Sequence, residues 1–303
     1  MAIRYIPYQE IDKEKWDHCI ANAGNGLVYA YSNYLDAMSK HWDALVLNDY
    51  EAVMPLTYNK KYGIYYLYQP PFTACLGVFG TGITASVLND FLQAVPVKFK
   101  FWEIYLNHGN YFQLGDFNLY ERMNYVLDLQ NTYEDIRSGY RENTRRNIKK
   151  SLQIHCVIKK DIDIDEVISI AQEQSKTYST LKQEDYDRFK KLYLLLTKVG
   201  QATTYGVYTP NQQLVASCAL FFSHNRVYYI LVGNHPNGKT LGASHALIDA
   251  FIRDNAGKDL LLDFEGSDIR NLAFFYSSFG AVQEKYVGLK RNRLPKLLRL
   301  WKK

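Results

Sequence analysis

Between Arg226 and Lys285 the chain reads as strand, glycine turn, helix, strand, helix, strand, and this alternation restricts the segment to mixed α/β architectures. The first strand, Arg226-Val-Tyr-Tyr-Ile-Leu-Val232, is rich in β-branched and aromatic residues. It runs into Gly233-Asn-His-Pro-Asn-Gly238-Lys239-Thr240, and the apolar period then predicts a helix from Leu241 to Ile252. A helix N-terminus after a glycine turn favours an anion, through its unpaired N–H groups and its dipole. Gly238 and Gly242 would let such a group approach the backbone closely.

The octapeptide Gly233 to Thr240 fits the phosphate-loop pattern GxxxxGK[ST], and Leu260-Leu-Leu-Asp263 has the form of a magnesium-holding strand end. Three features weigh against a nucleotide-hydrolysing enzyme. Pro236 has no N–H where the loop needs a donor. The turn begins at residue 233 of 303, leaving room for few further strands. The preceding strands, Ala202 to Thr209 and Gln212 to Phe222, are joined by Pro210-Asn211, a tight connection that makes an antiparallel hairpin.

Lys239-Thr-Leu-Gly242-Ala-Ser244 resembles the pyrophosphate turn of the GNAT acyltransferase superfamily, from whose usual form Lys239 and Ser244 depart. Tyr276, four residues before Gly280, has the spacing of a tyrosine in the family's next helix. The strand end Asp263-Phe-Glu265-Gly266-Ser267, followed by a Phe-Tyr-x-x-Phe-Gly helix, is similar to the FemAB-like branch, double-GNAT relatives of peptidoglycan-bridge aminoacyltransferases. Trp16, Trp42 and Gln69-Pro-Pro-Phe72 look like the amino-terminal domain of that branch. The resemblance implies two tandem GNAT-like domains of α/β class with mixed sheets. The sequence places the boundary after a strand, Asn124 to Leu129, giving domains at 1–130 and 131–303, the second carrying the active site.

What the resemblance implies chemically is N-acyl transfer from acyl-CoA to an amine acceptor, or, by the FemAB-like reading, transfer from aminoacyl-tRNA to a peptidoglycan precursor. A non-catalytic protein that binds anionic ligands is a third reading. Gly233, Gly238, Lys239, Thr240, Gly242, Ala243 and Ser244 would hold the donor. The acyl group would lie between two splayed strands, Val227 to Val232 and Asp259 to Glu265, with N–H groups around Leu231 to Gly233 receiving the oxyanion. Strand alternation puts Asp263 and Glu265 on one face, to bind or deprotonate the amine, or else to pair with Arg270 or Lys290. Tyr276 would protonate the leaving group, or be a core tyrosine.

Charge is concentrated. Residues 137–160 sum to +7 and residues 285–303 to +8, while the whole chain carries only +5, so the remainder sums to −10. Arg141, Arg145 and Lys149 fall on one face of a predicted helix from Arg141 to Leu152, with Arg146 beside them. These four are candidates for an anionic donor or acceptor, transfer RNA among them, against the plainer reading of a solvated helix face. The closing segment from Leu294 to Lys303 mixes leucine, tryptophan and cations in a form suited to an anionic membrane surface, or to packing on its own domain.

The start of the chain lacks a signal-peptide core, no apolar run reaches membrane-spanning length, and the four cysteines are scattered, which together suggest a cytoplasmic setting. The histidines and cysteines show no metal-ligand spacing, and no G-x-S-x-G elbow is present, so no metal is expected; direct amine attack without a covalent intermediate is what the resemblance implies.

Overall fold

The computed structural model describes residues 2–176, 180–266 and 268–294, with the Lys239 side chain outside the described parts. The chain folds as two units, Met1–Met123 with the chain from Lys285, and Asn124–Glu284. The first unit contains β1 (Ile3–Ile6), α1 (Lys13–Asn22), α2 (Ser32–Met38), β2 (His41–Leu47), β3 (Ala52–Lys61), β4 (Ile64–Tyr68), β5 (Phe79–Gly80), α3 (Ala85–Ala94) and β6 (Phe99–Leu106). β7 (Leu119–Asp128) carries the chain into the second unit, which continues with α4 (Tyr133–Ser138), α5 (Glu142–Gln153), β8 (Val157–Lys160), α6 (Ile164–Ser175) and α7 (Gln183–Lys198). Then come β9 (Ala202–Tyr208), β10 (Leu214–Ser223), β11 (Arg226–Asn234), α8 (Pro236–Leu241), α9 (Ala243–Asn255), β12 (Leu261–Asp263) and α10 (Arg270–Ser277), and β13 (Val282–Asn292) returns to the first unit.

Both units follow one plan. In the first, β1 to β4 pair antiparallel in sequence order and β4 then pairs parallel with β6, beyond the crossover helix α3. In the second, β8 to β11 pair antiparallel in order, and β11 pairs parallel with β12, beyond α8 and α9. A parallel pair needs such a crossover because its strands run in the same direction.

The sixth strand of each plan is exchanged. The end of β7, which follows β6 in the chain, pairs antiparallel with β12 in the second unit, and β13, which follows β12, pairs antiparallel with β6 in the first. The division is therefore not a single cut after residue 130, since the chain from Lys285 rejoins the first unit.

The first unit's core packs Phe91, Leu92 and Val95, on or just after α3, against Leu45, Met54, Phe99 and Trp102 of the sheet. In the second unit α7 sets Phe189 against Phe221 of β10 with ring centroids 5.4 Å apart, and α9 sets Phe251 edge-on to Tyr205 of β9. The predicted hairpin across Pro210-Asn211 is present as β9 and β10. The predicted helix from Leu241 to Ile252 is two helices broken at Gly242, whose φ of 70° ends α8 and lets α9 start on a new axis.

Candidate active site

β11 and β12 pair over three positions only, Arg226 with Leu261, Val227 with Leu262 and Tyr228 with Asp263. Beyond them β11 runs on to Asn234 while β12 ends. On its other side β11 stays paired to β10, but with a bulge: Tyr229 faces Leu220 and Leu231 faces Ala219, leaving Ile230 as the extra residue. The bulge twists β11 where the parallel pairing stops. Among the described residues no strand covers the β12-facing edge of β11 from Tyr229 to Gly233, so a gap opens there with backbone donors along one side. At its far end the Asn234 N–H is taken by Oε1 of Gln174 on α6, at 2.6 Å.

The root of the gap is fixed by charge. Arg226 is 7% exposed and donates to Asp263 at 2.6 Å and to both oxygens of Glu284 at 2.7 and 2.8 Å. Asn124 completes the cluster, donating to Asp263 at 2.8 Å and to Glu284 at 3.2 Å. Burial opposes the Arg226 charge, yet the bond to Glu284 and the field of Asp263 keep it protonated far above its ordinary range. The pairing corrects the expectation for Asp263. Its partner is Arg226, not Arg270 or Lys290, and one oxygen also accepts the Glu265 N–H at 2.7 Å, which leaves it poorly placed to meet an amine.

Glu265 does not share a strand face with Asp263, because β12 ends at Asp263 and Glu265 has a φ of 61°, in the left-handed region. That turn sends the Glu265 carboxylate away from the alternation that strand geometry would impose and into the electrostatic reach of Tyr276.

Tyr276 lies on α10 with its ring stacked on Phe264, centroids 4.6 Å apart and planes at 18°. Phe264 directly follows β12 and meets Tyr229 of β11 edge-on at 6.0 Å, so the three rings line the place where the strands part. Burial, then the Glu265 charge, pushes the Tyr276 phenol well above its usual value. Tyr229 is shifted the same way by burial, with smaller contributions from Cys218 and Tyr276. Both phenols stay protonated at any working pH, and no described residue takes the Tyr276 hydroxyl as a hydrogen-bond partner. The expected helix and the expected spacing to Gly280 are both present, and the ring is buried as a core tyrosine would be.

The glycine turn is folded differently from a phosphate loop. Pro236 opens α8, where a missing N–H costs nothing, and the His235 ring caps that helix by accepting from the Asn237 N–H at 3.1 Å. The close approaches allowed by the glycines are made by the chain itself. A Cβ on Gly233 would meet Ile170 at 2.3 Å, one on Gly238 the Val215 carbonyl at 2.1 Å, and one on Gly242 the Asn147 carbonyl at 2.3 Å. Thr240 bonds its own helix through the Asn237 carbonyl, Ser244 bonds Asn234 at 2.5 Å, and Ala243 is fully buried. Lys239 belongs to α8, and its side chain lies outside the described residues.

The close approach of Gly242 to Asn147 sets α5, the basic helix, directly against the start of α9. Arg146 and Lys149, flanking Asn147, are exposed. Arg141 is the N-cap residue and lies over the Phe274 ring at 4.8 Å, and its N–H bonds the Ser278 carbonyl. Arg145 is not a free charge. Its guanidinium donates to the Ser138 and Arg137 carbonyls at 2.6 and 3.3 Å, closing the end of α4.

Residues 137–268 match the family described as acetyltransferase (GNAT) domain. The second unit carries a GNAT acyltransferase domain. Over the whole chain the fold is that of a double-GNAT protein. FemX superposes with a TM-score of 0.65 at 11% identity, covering 99% of each chain. L-PGS from Bacillus licheniformis gives 0.58 at 13% identity over 96% of this chain and 95% of that one. A conserved protein of unknown function from Bacteroides thetaiotaomicron gives 0.58 at 13% identity over 94% and 99%. No curated protein sequence matches the chain.

Within the GNAT domain the structure sets Tyr276 and Glu265 near each other where the strands part, sets α5 with its exposed cations against the α8–α9 turn, and ties Asp263 to Arg226 and Arg145 to the end of α4. The bulge at Ile230 escaped sequence reading because an inserted residue leaves no mark in an unbroken apolar run. Phe264 and Tyr229 were visible only as strand aromatics. Among the described residues no helix is long and apolar enough to cross a membrane, and no three metal-ligating side chains converge. The closing segment considered for a membrane surface lies, apart from Leu294, outside the described residues.

Proposed function

We propose that the second unit transfers an acyl group from acyl-CoA to an amine, with the donor in the gap between β11 and β12. The observation that carries this reading is the parting of the strands itself: three paired positions, then a bulged β11 beside the rings of Tyr229, Phe264 and Tyr276. An extended thioester arm adds to β11 through its amides, and a backbone N–H near the bulge receives the carbonyl oxygen as charge develops. Glu265 accepts the amine proton as the nitrogen attacks. Tyr276 donates its hydrogen bond to the departing thiolate, a role that needs a phenol held protonated. Arg146 and Lys149, beside the α8–α9 turn, supply the field for the donor's phosphates.

A charged transfer RNA is the alternative donor, supported by the exposed cations of α5, since an ester carbonyl makes the same demands on the oxyanion donor and on Tyr276. The deciding experiment is single-turnover transfer with radiolabelled acetyl-CoA and, separately, with labelled aminoacyl-tRNA, against a panel of amines. Transfer from the thioester is the expected result. Transfer from the RNA ester alone reassigns the donor, and transfer from neither, with acetyl-CoA still binding, leaves a non-catalytic ligand-binding protein.

A further inference from the structure

The first unit holds a group of cations to which no described residue supplies a counter-ion. Arg291 of β13 sits opposite Trp102 of β6, and the register continues one step further, the Arg293 N–H bonding the Lys100 carbonyl at 2.7 Å. Alternate residues share a sheet face, so Arg291 and Arg293 lie on the side of Trp102, while Lys100, opposite Arg293 in this ladder, is the extra residue where β6 shifts register against β4. Both guanidiniums rest on the same indole, 5.1 Å for Arg291 and 4.9 Å for Arg293 from the Trp102 ring, and Arg291 is also 4.6 Å from the Phe117 ring. Among the described residues no carboxylate pairs with Arg291, Arg293 or Lys100. Nη1 of each arginine is buried with no hydrogen-bond acceptor. Burial, then repulsion from Arg291, lowers the pKa of Arg293.

Other cations of this strand are neutralised. Lys290 faces Glu103 at 3.7 Å, and Lys285 meets Glu121 at 2.9 Å. Like charges stacked on aromatic rings without partners repel each other and are costly to desolvate. The arrangement suits an external acceptor, because a guanidinium flat on a ring still presents its outer edge as a fork, the geometry that phosphate oxygens take up.

A cavity of about 450 Å³ adjoins them, lined by Tyr111, Phe112, Phe117, Asn118, Glu121 and Val287 among others. Phe117 is common to both features. The carboxylate within it is held by the Tyr111 hydroxyl at 2.6 Å and by Lys285, so its charge is already answered.

We propose that the first unit binds a phosphate monoester, with Arg291, Arg293 and Lys100 holding the phosphate and the cavity beside Phe117 taking the organic body. The site is independent of the transferase reading, since every residue in it belongs to the first unit. Isothermal titration of the full chain with inorganic phosphate and with phenyl phosphate, at matched ionic strength, tests it. Phosphate is expected to bind saturably, and phenyl phosphate about tenfold more tightly.

The pair Arg291→Gln with Arg293→Gln is expected to abolish both, and the single exposed change Lys100→Gln, which leaves the core untouched, to weaken both several-fold. The pair Arg146→Gln with Lys149→Gln in the second unit is expected to leave both intact. No saturable binding, or binding untouched by Lys100→Gln and lost in Arg146→Gln with Lys149→Gln, overturns the proposal. Equal affinities for the two probes overturn the role of the cavity.

Discussion

The two units take the same path through four antiparallel strands and one parallel strand, and they part company at the exit from the fourth strand. In the second unit β11 leads straight into α8, and its pairing with β12 ends after Tyr228. In the first, β4 leads into Gln69-Pro70-Pro71, and the chain folds back into the corresponding space. The Gln69 amide accepts from the Tyr105 N–H at 3.1 Å and donates to the Thr73 carbonyl at 2.9 Å. Leu76 then acts as one residue of a surrogate strand, its N–H bonding the Tyr105 carbonyl and its carbonyl accepting from Asn107. Proline favours this detour, because the residue before it is disfavoured in helical geometry and the ring cannot donate. One plan thus yields an open slot and a slot plugged by its own backbone, and the acyl transfer proposed above uses the open one.

The plan also differs in how each parallel pair is pinned, and the largest effect is expected there. The second unit uses a buried arginine with two carboxylates. Arg226→Met would leave the Asp263 and Glu284 carboxylates desolvated without their cation, at a cost of about 3–5 kcal/mol. Denaturant unfolding is expected to show that loss, accompanied by a fall in turnover as β12 loosens. A variant of parental stability would mean that water replaces the guanidinium and that charge does not pin the gap.

Next in size is Tyr276→Phe, which keeps the ring on Phe264 and removes only the oxygen. If the open slot is catalytic, turnover should fall by about 10²–10⁴, the usual contribution of a positioned acid, with the melting temperature unchanged. Unchanged turnover would make the aromatic wall purely structural. The corresponding probe of the plugged slot is Gln69→Ala, which strands the Tyr105 N–H and the Thr73 carbonyl and should cost about 1–3 kcal/mol of stability with no change in acyl transfer. A loss of activity in Gln69→Ala without loss of stability would break the assignment of the reaction to the second unit.

Much of this contrast was legible in the sequence where it rests on local pattern. The β9–β10 hairpin, the basic helix with Arg141 at its start and the spacing from Tyr276 to Gly280 all follow from turn chemistry and helical period. What was not legible depends on distance along the chain. The exchange pairs β7 with β12 and β13 with β6, strands far apart in the chain, and no local propensity encodes it. Asp263 finds its cation 37 residues earlier, at Arg226. Nearby Arg270 looked as suitable, and only burial decides between them. Glu265 left its expected face through one left-handed residue, a conformation that glutamate does not advertise. Arg145 read as a free charge because the carbonyls it closes become acceptors only once α4 ends at Ser138.

A smaller effect distinguishes the units by pH. His245, on α9 of the second unit, packs edge-on to Phe275 at 4.7 Å and against Phe279 at 5.8 Å, with Nε2 buried and unpartnered. Burial lowers its pKa from 6.5 to about 4. The folded state therefore holds the ring neutral while the unfolded chain protonates it, so between pH 6.5 and 4 the unfolded state binds more protons. The contribution is complete above the unfolded value and is lost as pH falls towards the folded one. Allowing for the ring's partial exposure, the loss is about 1–2 kcal/mol. His245→Leu keeps the apolar packing against Phe275 and Phe279 and removes the titration. The difference in stability between parent and variant, measured by denaturant unfolding at pH 7 and pH 4.5, should move by that amount in favour of the variant at the lower pH. Amide exchange at pH 4.5 should show the parent's α9 and α10 opening before the strands around Gln69. If the difference is the same at both pH values, His245 reaches solvent freely and the acid sensitivity of the open unit lies with other groups.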